Sequence, residues 1–340
     1  MENRFRILAD EEGKRLDTFL AGKLSVTRTK IKGMFNGGHV RIAGRVPKPS
    51  LATKIGMEIE GEIPEEKPLV LTPQDIPLEI LYEDDFFLAV NKPKGMVVHP
   101  SFGHREGTLV NAILSYLGGA AGHGPWSTEA SKMPADVVCA SLARFPEFAT
   151  QDRACTARPG IVHRLDKGTT GVILVAKDSK TQELLSDLFK ERAVEKTYRT
   201  ITEGLPERDD GVVEGMIGRH PTNRKKMAVL AKGGRSAVTR FRVIQRLRGY
   251  AYIEVYPRTG RTHQIRVHLA HIGHPVVGDE TYGKRAKHLC DRPLLHAYRI
   301  VFVHPVSGSQ IAIEAPVPDD MERFIASHVP ESFEDEGLKG

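Results

Sequence analysis

Hydrophobic residues in the first part of the chain recur at helical spacing and then at strand spacing. Four of them lie at helical spacing after Arg15, namely Leu16, Phe19, Leu20 and Leu24. This spacing predicts an amphipathic helix. A second short helix is predicted from Thr27 to Phe35, before a glycine pair, and the alternation from His39 to Ala43 predicts a short strand. Residues 5–64 are therefore predicted to form a small α/β module.

The rest of the chain carries longer apolar segments that predict a larger domain. Two unbroken apolar runs, Phe86–Val90 and Gly171–Ala176, predict buried strands, and Ala251–Tyr256 alternates like a strand. Helices are predicted at Thr108–Leu117, after a cap at Asp178 or Ser179, and at Thr262–Ile272. Strands and helices mix without a regular βαβ repeat, and this order predicts an α+β fold.

Shifts in composition divide the chain into segments. Residues 65–72 read as a charged, proline-bounded linker, residues 73–328 as the large domain, and residues 329–340 as an acidic tail. Residues 118–158 begin with a glycine-rich run and keep no hydrophobic periodicity. A structureless run of about 40 residues is unusual inside a compact domain, so we predict an insertion or a disordered loop there.

The overall composition fits a folded protein of about two domains. The chain has 340 residues, of which 40% are hydrophobic and 27% charged, and these ordinary values argue against wholesale disorder. No apolar run approaches the ~20 residues of a membrane helix, and no apolar signal core follows Met1. Three cysteines without CxxC spacing argue against a disulfide framework and against a cysteine zinc site. We therefore expect a cytoplasmic protein without membrane contact.

Basic residues concentrate in two blocks. The segment from Lys14 to Lys54 contains ten Lys or Arg residues and a single acidic residue, and the segment from Arg219 to Arg248 contains ten Lys or Arg residues and no acidic residue. The net charge is negative between Glu314 and Glu336, a segment with eight acidic residues and one arginine. One basic block is usually a solvated surface, but two blocks in foldable sequence favour contact with a polyanion such as RNA. The RNA-binding candidates from these blocks are Lys30, Lys32, Arg224 and Lys225.

A lone carboxylate stands among cations just before a predicted buried strand. Residues 160–171 read GIVHRLDKGTTG, with Asp166 close to Arg164 and Lys167. The cations favour an ionised carboxylate, which can act as a nucleophile or as an electrostatic stabiliser. The glycines would allow close backbone approach to a substrate. A surface turn with a structural salt bridge is the other interpretation, and the residues alone leave both open.

A second candidate segment, Thr259–Pro275, is rich in histidine. Arg261 and the amides of the helix start could hold an anion, and Arg266, one turn further on, could pair with a buried carboxylate. The helical spacing places Ile265, Leu269 and Ile272 inward. The histidines lack HExxH spacing and no acid lies between 261 and 278, so we predict solvated or hydrogen-bonded histidines and no metal site.

Tyr198 is a third candidate, in the strand-like segment Glu195–Ile201. A tyrosine at this place could fill the core with its hydroxyl at the surface, which is the commoner use. It could instead stack on a nucleobase. The residues alone do not choose between these roles.

The HRLD, KTY and GRTHQIRVH segments, in this order, resemble those of the RluA-type RNA pseudouridine synthases. The agreement continues through QDIPLEILYEDDFFLAVNKPKGMVVHP, GTLVNAIL, RHPTNRKKMAV, GHPVVGDETYG and LLHAYRIVFVHPVSG. The basic N-terminal module and the RHPTNRKKMAV block are most similar to the RluD branch, which modifies large-subunit ribosomal RNA. The resemblance covers nearly the whole chain except 118–158, which lengthens the family's path to HRLD, and the acidic tail.

The resemblance implies a role for each candidate. Asp166 corresponds to the family's nucleophile, and Arg266 to the arginine that pairs with it. Tyr198 corresponds to the stacking tyrosine, and Arg164 to the arginine that helps displace and replace the target nucleotide. The same motifs contain further residues expected to contact substrate, namely Leu165, Arg261 and His263.

The family fold is a mixed, mostly antiparallel sheet flanked by helices and loops, with a cleft across its middle. The N-terminal module resembles the small RNA-binding module of ribosomal protein S-four. The implied substrate is uridine in 23S ribosomal RNA, in the helix 69 stem-loop, either as free RNA or in a pre-ribosomal particle. No cofactor or metal is expected, because the reaction needs no redox or phosphoryl-transfer step.

Two other functions stay open at this stage. The same chemistry could act on another ribosomal site or on transfer RNA. A non-enzymatic RNA-binding or ribosome-assembly protein would need the basic blocks but not Asp166. A monomer is the expected state, because the chain shows no coiled-coil heptads.

Overall fold

The computed structural model describes residues 4–64, 72–99, 106–119, 160–223, 226–284, 286 and 288–330. Four predicted features therefore lie largely or wholly outside the described residues: the linker up to residue 71, the insertion from residue 120, the pair Arg224 and Lys225, and the tail from residue 331. The chain divides into two compact units, Met1–Pro68 and Leu69–Gly340.

A small antiparallel sheet forms the first unit. Its strands, in the order β1–β3–β2, are β1 (Arg4–Leu8), β2 (Val40–Arg41) and β3 (Glu58–Glu62). Two helices form where the spacing predicts them, α1 (Leu16–Lys23) and α2 (Arg28–Asn36). Leu16, Phe19 and Leu20 are buried in this unit's own core, as the helical pattern requires. The likeness to the ribosomal protein S-four module stays a prediction.

One mixed sheet forms the frame of the second unit. Its strands are β4 (Glu79–Glu83), β5 (Phe87–Lys92), β6 (Thr170–Ala176), β7 (Glu195–Glu203), β8 (Asp210–Arg219), β9 (Met227–Leu230), β10 (Arg235–Leu247), β11 (Tyr250–Pro257), β12 (Leu295–Val303) and β13 (Gln310–Glu314). The described strands lie in the order β4–β5–β6–β12–β7–β11–β10–β8–β9, and β13 also pairs with β12. The two apolar runs lie side by side in β5 and β6, as expected for buried strands. This architecture confirms the predicted α+β fold with a mostly antiparallel sheet.

The only parallel pairing among the described strands joins β6 to the start of β12. It consists of Thr170 opposite His296 and Gly171 opposite Ala297. Beyond these two pairs, the same edge of β12 pairs with β13. On its other edge, β12 pairs with β7. This junction brings the loop that precedes β6 next to the middle of the sheet.

Four described helices flank the sheet: α3 (Leu109–Gly119), α4 (Ser179–Lys190), α5 (Gln264–His271) and α6 (Asp319–Ser327). Asp178 caps α4, accepting a hydrogen bond of 2.8 Å from the N–H of Thr181. Ile265 and Leu269 are buried as predicted, but the inward position of Ile272 is wrong, because that residue is 36% exposed. The helix ends at His271, so the helical period no longer directs the Ile272 side chain. Within the described part of the chain, no helix has the length and apolar character of a membrane span.

Candidate active site

A cleft of about 130 Å³ lies in the second unit, where the loop before β6 meets the start of α5. Tyr198 on β7 and Leu295 on β12 complete its walls. Its lining includes Arg164, Leu165, Asp166, Tyr198, Arg261, His263 and Arg266. The structure therefore brings together every predicted site residue of this unit that it describes.

Arg266 pairs with Asp166 and is itself held from behind. Its Nη1 donates to Asp166 Oδ2 at 3.0 Å, while its Nε and Nη2 donate to the two carboxylate oxygens of Asp279 at 2.7 and 2.8 Å. The Asp279 side chain is fully buried, whereas that of Asp166 is 22% exposed to the cleft. The bidentate pair fixes the guanidinium, and the fixed guanidinium orients the carboxylate that substrate can reach.

Asp279 is the site residue that sequence analysis missed. Its Oδ1 also accepts hydrogen bonds from the N–H groups of Thr281 and Tyr282, so the buried carboxylate is well satisfied. It lies in the GHPVVGDETYG segment quoted for the resemblance. The available signal was the expectation that Arg266 pairs with a buried carboxylate, which the structure assigns to Asp279 as well as to the exposed Asp166.

The charge of Arg266 is permanent. Burial alone would lower its pKa, but the hydrogen bonds and charges of Asp279 and Asp166 raise the pKa above the usual arginine value. The Tyr282 ring adds a contact, with its centroid 5.2 Å from the guanidinium carbon.

His263 lies beside the Asp166 carboxylate. Its Nε2 is 3.8 Å from Asp166 Oδ2, and its Nδ1 shares a hydrogen bond of 2.9 Å with the Tyr282 hydroxyl. Burial lowers the pKa of His263 despite the negative charge of Asp166. Its backbone is left-handed, with φ of 56°, an uncommon conformation that turns the chain into α5.

Tyr198 forms a wall of the cleft and packs against two hydrophobic clusters of the unit. Burial, together with the charge of Asp166, raises the pKa of this phenol well above its usual value. The side chain is therefore part of the core, and one side of it faces the cleft. Stacking on a nucleobase stays a prediction. Because its pKa is raised, the phenol keeps its proton, which suits contact with a nucleobase better than abstraction of a proton.

A buried amide organises the segment between β11 and α5. Gln264 Oε1 accepts from the Thr259 hydroxyl at 2.7 Å and from the Arg261 N–H at 2.9 Å. Gln264 Nε2 donates to Val238 O and to the Thr239 hydroxyl. A fully hydrogen-bonded buried network of this kind holds the rim of the cleft in one conformation.

Two buried basic side chains hold the backbone behind Asp166, and burial lowers the pKa of one of them, Lys92, to about 7. Lys92 is fully buried, and its Nζ donates to the carbonyls of Pro93, Met96 and Lys167 at 2.9, 3.0 and 3.3 Å. Arg292 Nη1 donates to the carbonyl of Gly168 at 3.2 Å. The carbonyls of the two residues after Asp166 are thus fixed from inside the protein, which limits movement of the loop that contains Asp166.

The packing of the protein itself requires the glycines around Asp166, and their predicted approach to a substrate stays a prediction. A Cβ on Gly160, Gly168 or Gly171 would lie within 3.0 Å of other protein atoms. At Gly171, where φ is +106°, that atom would be 2.2 Å from the carbonyl oxygen of Ala297. These positions lack side chains because the chain packs on itself there.

The remaining candidates lie elsewhere. Lys30 and Lys32 belong to α2 of the first unit, and Arg224 and Lys225 lie outside the described residues. His268 Nδ1 shares a hydrogen bond of 2.9 Å with the Thr239 hydroxyl, in line with a hydrogen-bonded histidine. In the described ranges, no three His, Cys, Asp or Glu side chains come close enough together to hold a metal ion.

Comparisons with known proteins connect this geometry to a family. The family model described as RNA pseudouridylate synthase matches residues 86–271, more than half of the chain, and this range contains Asp166, Tyr198 and Arg266. A solved structure of Human RNA Pseudouridylate Synthase Domain Containing 1 matches with a TM-score of 0.54 and 24% identity, covering 77% of this chain and 92% of that one. This structural likeness supports the fold.

Two curated relatives match over most of their length. The ribosomal large subunit pseudouridine synthase D of Neisseria meningitidis is 37% identical over 340 residues, which cover 96% of this chain and 82% of that protein. The uncharacterized RNA pseudouridine synthase YlyB of Bacillus subtilis is 35% identical, with 95% and 97% covered. The chain belongs to the RluA family of RNA pseudouridine synthases, isomerases that convert uridine in RNA to pseudouridine.

Proposed function

We propose that the enzyme isomerises specific uridines of large-subunit ribosomal RNA and that Asp166 is the residue that acts at C1′ of the target nucleoside. One observation carries this assignment: Asp166 is a carboxylate at a cleft wall, 22% exposed, and bound at 3.0 Å by an arginine that is itself locked by a buried partner. Such a carboxylate is oriented in advance and remains accessible to substrate.

The reaction breaks the N1–C1′ bond of uridine and forms a C5–C1′ bond. Asp166 either attacks C1′ and is displaced when C5 bonds there, or assists loss of the 2′-proton, which returns to C2′ when C5 bonds to C1′. Positive charge develops on the sugar along both routes. The carboxylate stabilises that charge. The retained uracil rotates, C5 bonds to C1′, the C5 proton leaves to a base, and N1 gains a proton. Arg266 acts on Asp166 throughout, as a positioning residue.

The target nucleoside has to leave its stack to reach Asp166, which costs a few kcal/mol. Tyr198 recovers part of this cost by stacking on the uracil, in the range of 1–3 kcal/mol per base. Arg164 is exposed at the mouth of the cleft and has no hydrogen-bond or ion-pair partner among the described residues. It is therefore available to occupy the space that the displaced nucleotide leaves.

The other lining residues complete the substrate contacts. Leu165 is buried and supplies an apolar wall, while His263 and Arg261 face the base and the adjacent backbone from the rim. Lys30 and Lys32 of the first unit, with Arg224 and Lys225, add phosphate contacts that strengthen binding without reading sequence.

Large-subunit ribosomal RNA is the proposed substrate because the Neisseria relative carries that function in its name and the RHPTNRKKMAV block is similar to that branch. Within this RNA we propose the helix 69 stem-loop, whose loop uridines can be displaced at low cost. The same chemistry on another ribosomal site or on transfer RNA is the second candidate.

Mapping the product tests the substrate directly. Purified enzyme is incubated separately with unmodified large-subunit RNA, small-subunit RNA and transfer RNA, and pseudouridines are located by carbodiimide labelling and primer extension. We expect new pseudouridines in the large-subunit RNA alone, within one stem-loop. Modification confined to either of the other RNAs would overturn the substrate assignment while leaving the chemistry intact.

A further inference from the structure

A basic groove of about 460 Å³ opens beside the cleft in the second unit. We define it by its six cationic lining residues, Arg164, Lys190, Arg192, Lys196, Arg258 and Arg261. It shares Arg164, Tyr198 and Arg261 with the cleft, so the two form one continuous depression.

The charge of the basic groove is not balanced within the described residues. Its described lining contains no Asp or Glu. Lys190 pairs with Asp187 at 3.4 Å, but the side chains of Arg164, Arg192 and Arg258 are exposed and make no hydrogen bond or ion pair with another described residue. Mutual repulsion among such cations is relieved by an anionic ligand.

The floor of the basic groove is aromatic. The rings of His163 and Phe189 stack with centroids 4.5 Å apart, and Lys196 Nζ lies 5.9 Å from the centroid of Phe189. A surface that combines cations with aromatic faces suits single-stranded nucleic acid, because the cations attract its phosphates and the aromatic rings can stack on its bases.

Arg192 occupies a position at which glycine is preferred. It follows the C-cap of α4 and has a left-handed φ of 62°. The N–H of Ala193 donates to Leu188 O at 2.9 Å, which closes the helix end in the usual way. A left-handed conformation is costly for a residue that carries a Cβ, and such strain is found at functional sites. An arginine at this place, directed into a basic groove, therefore needs a reason beyond helix termination.

We propose that the basic groove binds the phosphodiester backbone of a nucleotide adjacent to the target uridine, and that Arg192 is its main phosphate contact. The inference rests on the proposed function of the cleft, since the RNA strand has to continue from the mouth where the target nucleoside enters. The groove is the continuous cationic path away from that mouth. Binding there would hold the strand while the target base is out of its stack.

The conformation of Arg192 allows a variant that separates binding from stability. Arg192→Gly removes the cation and relieves the backbone strain, so its melting temperature should equal or exceed that of the wild type. Its KM for the substrate RNA should rise, and kcat/KM should fall roughly tenfold, as expected for one lost charge-assisted contact. The slope of log Kd against log salt should decrease by about one. Arg192→Lys should recover part of the loss.

A matched control uses Arg208, which is exposed at the opposite end of β7. Arg208→Gln removes the same charge outside the basic groove and should leave KM and the salt slope at wild-type values. Equal effects of Arg192→Gly and Arg208→Gln would overturn the proposal, because the groove would then contribute only to net charge.

Neutral linkages in the RNA identify the contact itself. A methylphosphonate replaces, one at a time, the two phosphodiester linkages that flank the target uridine. One of them should reduce kcat/KM of the wild type roughly tenfold and cause no further loss in Arg192→Gly. If the losses caused by the methylphosphonate and by Arg192→Gly are additive at every linkage, the proposed contact is overturned. The wild-type enzyme is assayed in parallel on RNA without methylphosphonates, by release of tritium from 5-tritiated uridine. Failure of the proposed phosphate contact is therefore distinguishable from failure of the proposed function.

Discussion

At the scale of single residues, Asp279 determines where the Arg266 guanidinium can point. Three donors of Arg266 are used within the protein, two on Asp279 and one on Asp166. Because Asp279 is fully buried, it cannot be replaced by water as a partner. The reactive carboxylate thus depends on a residue that is itself withdrawn from the cleft.

Asp279→Asn tests this dependence. The amide can still accept from the backbone N–H groups, but it removes the charge opposite a buried guanidinium, so we expect the free energy of unfolding to fall by about 3 kcal/mol. Turnover should fall as well, because Arg266 is no longer fixed against Asp166, while KM for RNA changes little. Urea unfolding and release of tritium from 5-tritiated uridine measure the two effects.

The control for Asp279→Asn is an exposed ion pair of the same type. Arg246 Nη2 lies 2.7 Å from Asp209 Oδ1, with both side chains exposed. Asp209→Asn should cost less than about 1 kcal/mol and leave turnover unchanged. Wild-type turnover in Asp279→Asn would contradict the positioning role of this residue.

At the scale of elements, the junction of β6 and β12 joins the two halves of the sheet and follows the loop that contains Asp166. It has only two pairs of residues, and Gly171 is in one of them. The strand can approach Ala297 so closely because Gly171 has no Cβ and adopts a φ of +106°.

Gly171→Ala should therefore be severely destabilising. The new methyl group would lie 2.2 Å from the Ala297 carbonyl oxygen, so the strands have to separate, and we expect a loss of about 3 kcal/mol or more in the free energy of unfolding. Gly308→Ala is the matched control, since Gly308 also has a positive φ of 73° but open space around it. It should cost about 1 kcal/mol, and equal losses in the two variants would contradict the packing argument.

The elements themselves were largely predictable, because their signals are local. The apolar runs of β5 and β6, the spacing of α1, and the cap at Asp178 are visible in a few consecutive residues. The pairing of β6 with β12 was not predictable, since it joins segments more than 120 residues apart and is determined by packing. The same limit explains Asp279, whose role exists only once α5 and the following loop are folded together.

At the scale of the whole molecule, three histidines couple stability to pH: His268 and His296, which are fully buried, and His163, which is half-buried. Burial lowers the pKa of His163 to about 3 and those of His268 and His296 to about 4, against an ordinary value of 6.5. Between pH 6.5 and 4 the unfolded chain binds protons that the folded chain does not. Their contribution is therefore complete above about pH 6.5 and is lost as the pH falls towards 4, by up to about 1.4 kcal/mol per pH unit for each histidine.

His163→Gln tests one part of this coupling. His163 Nε2 accepts from the N–H of Leu174 at 2.9 Å, and the glutamine oxygen can accept the same hydrogen bond without titrating. Urea unfolding at pH 6 and pH 5 should show a smaller loss of stability in the variant, by about 1.4 kcal/mol per pH unit. An unchanged slope would show that His163 does not remain neutral in the folded enzyme.

Asp166 is the central residue of the proposed reaction, and one substitution measures its role. Asp166→Asn keeps the shape of the side chain but removes the carboxylate that acts at the ribose. Release of tritium from ribosomal RNA containing 5-tritiated uridine should fall by at least about 10⁴-fold, while the Kd for that RNA stays near the wild-type value. Turnover close to wild type in Asp166→Asn, with RNA binding intact, would contradict the central claim.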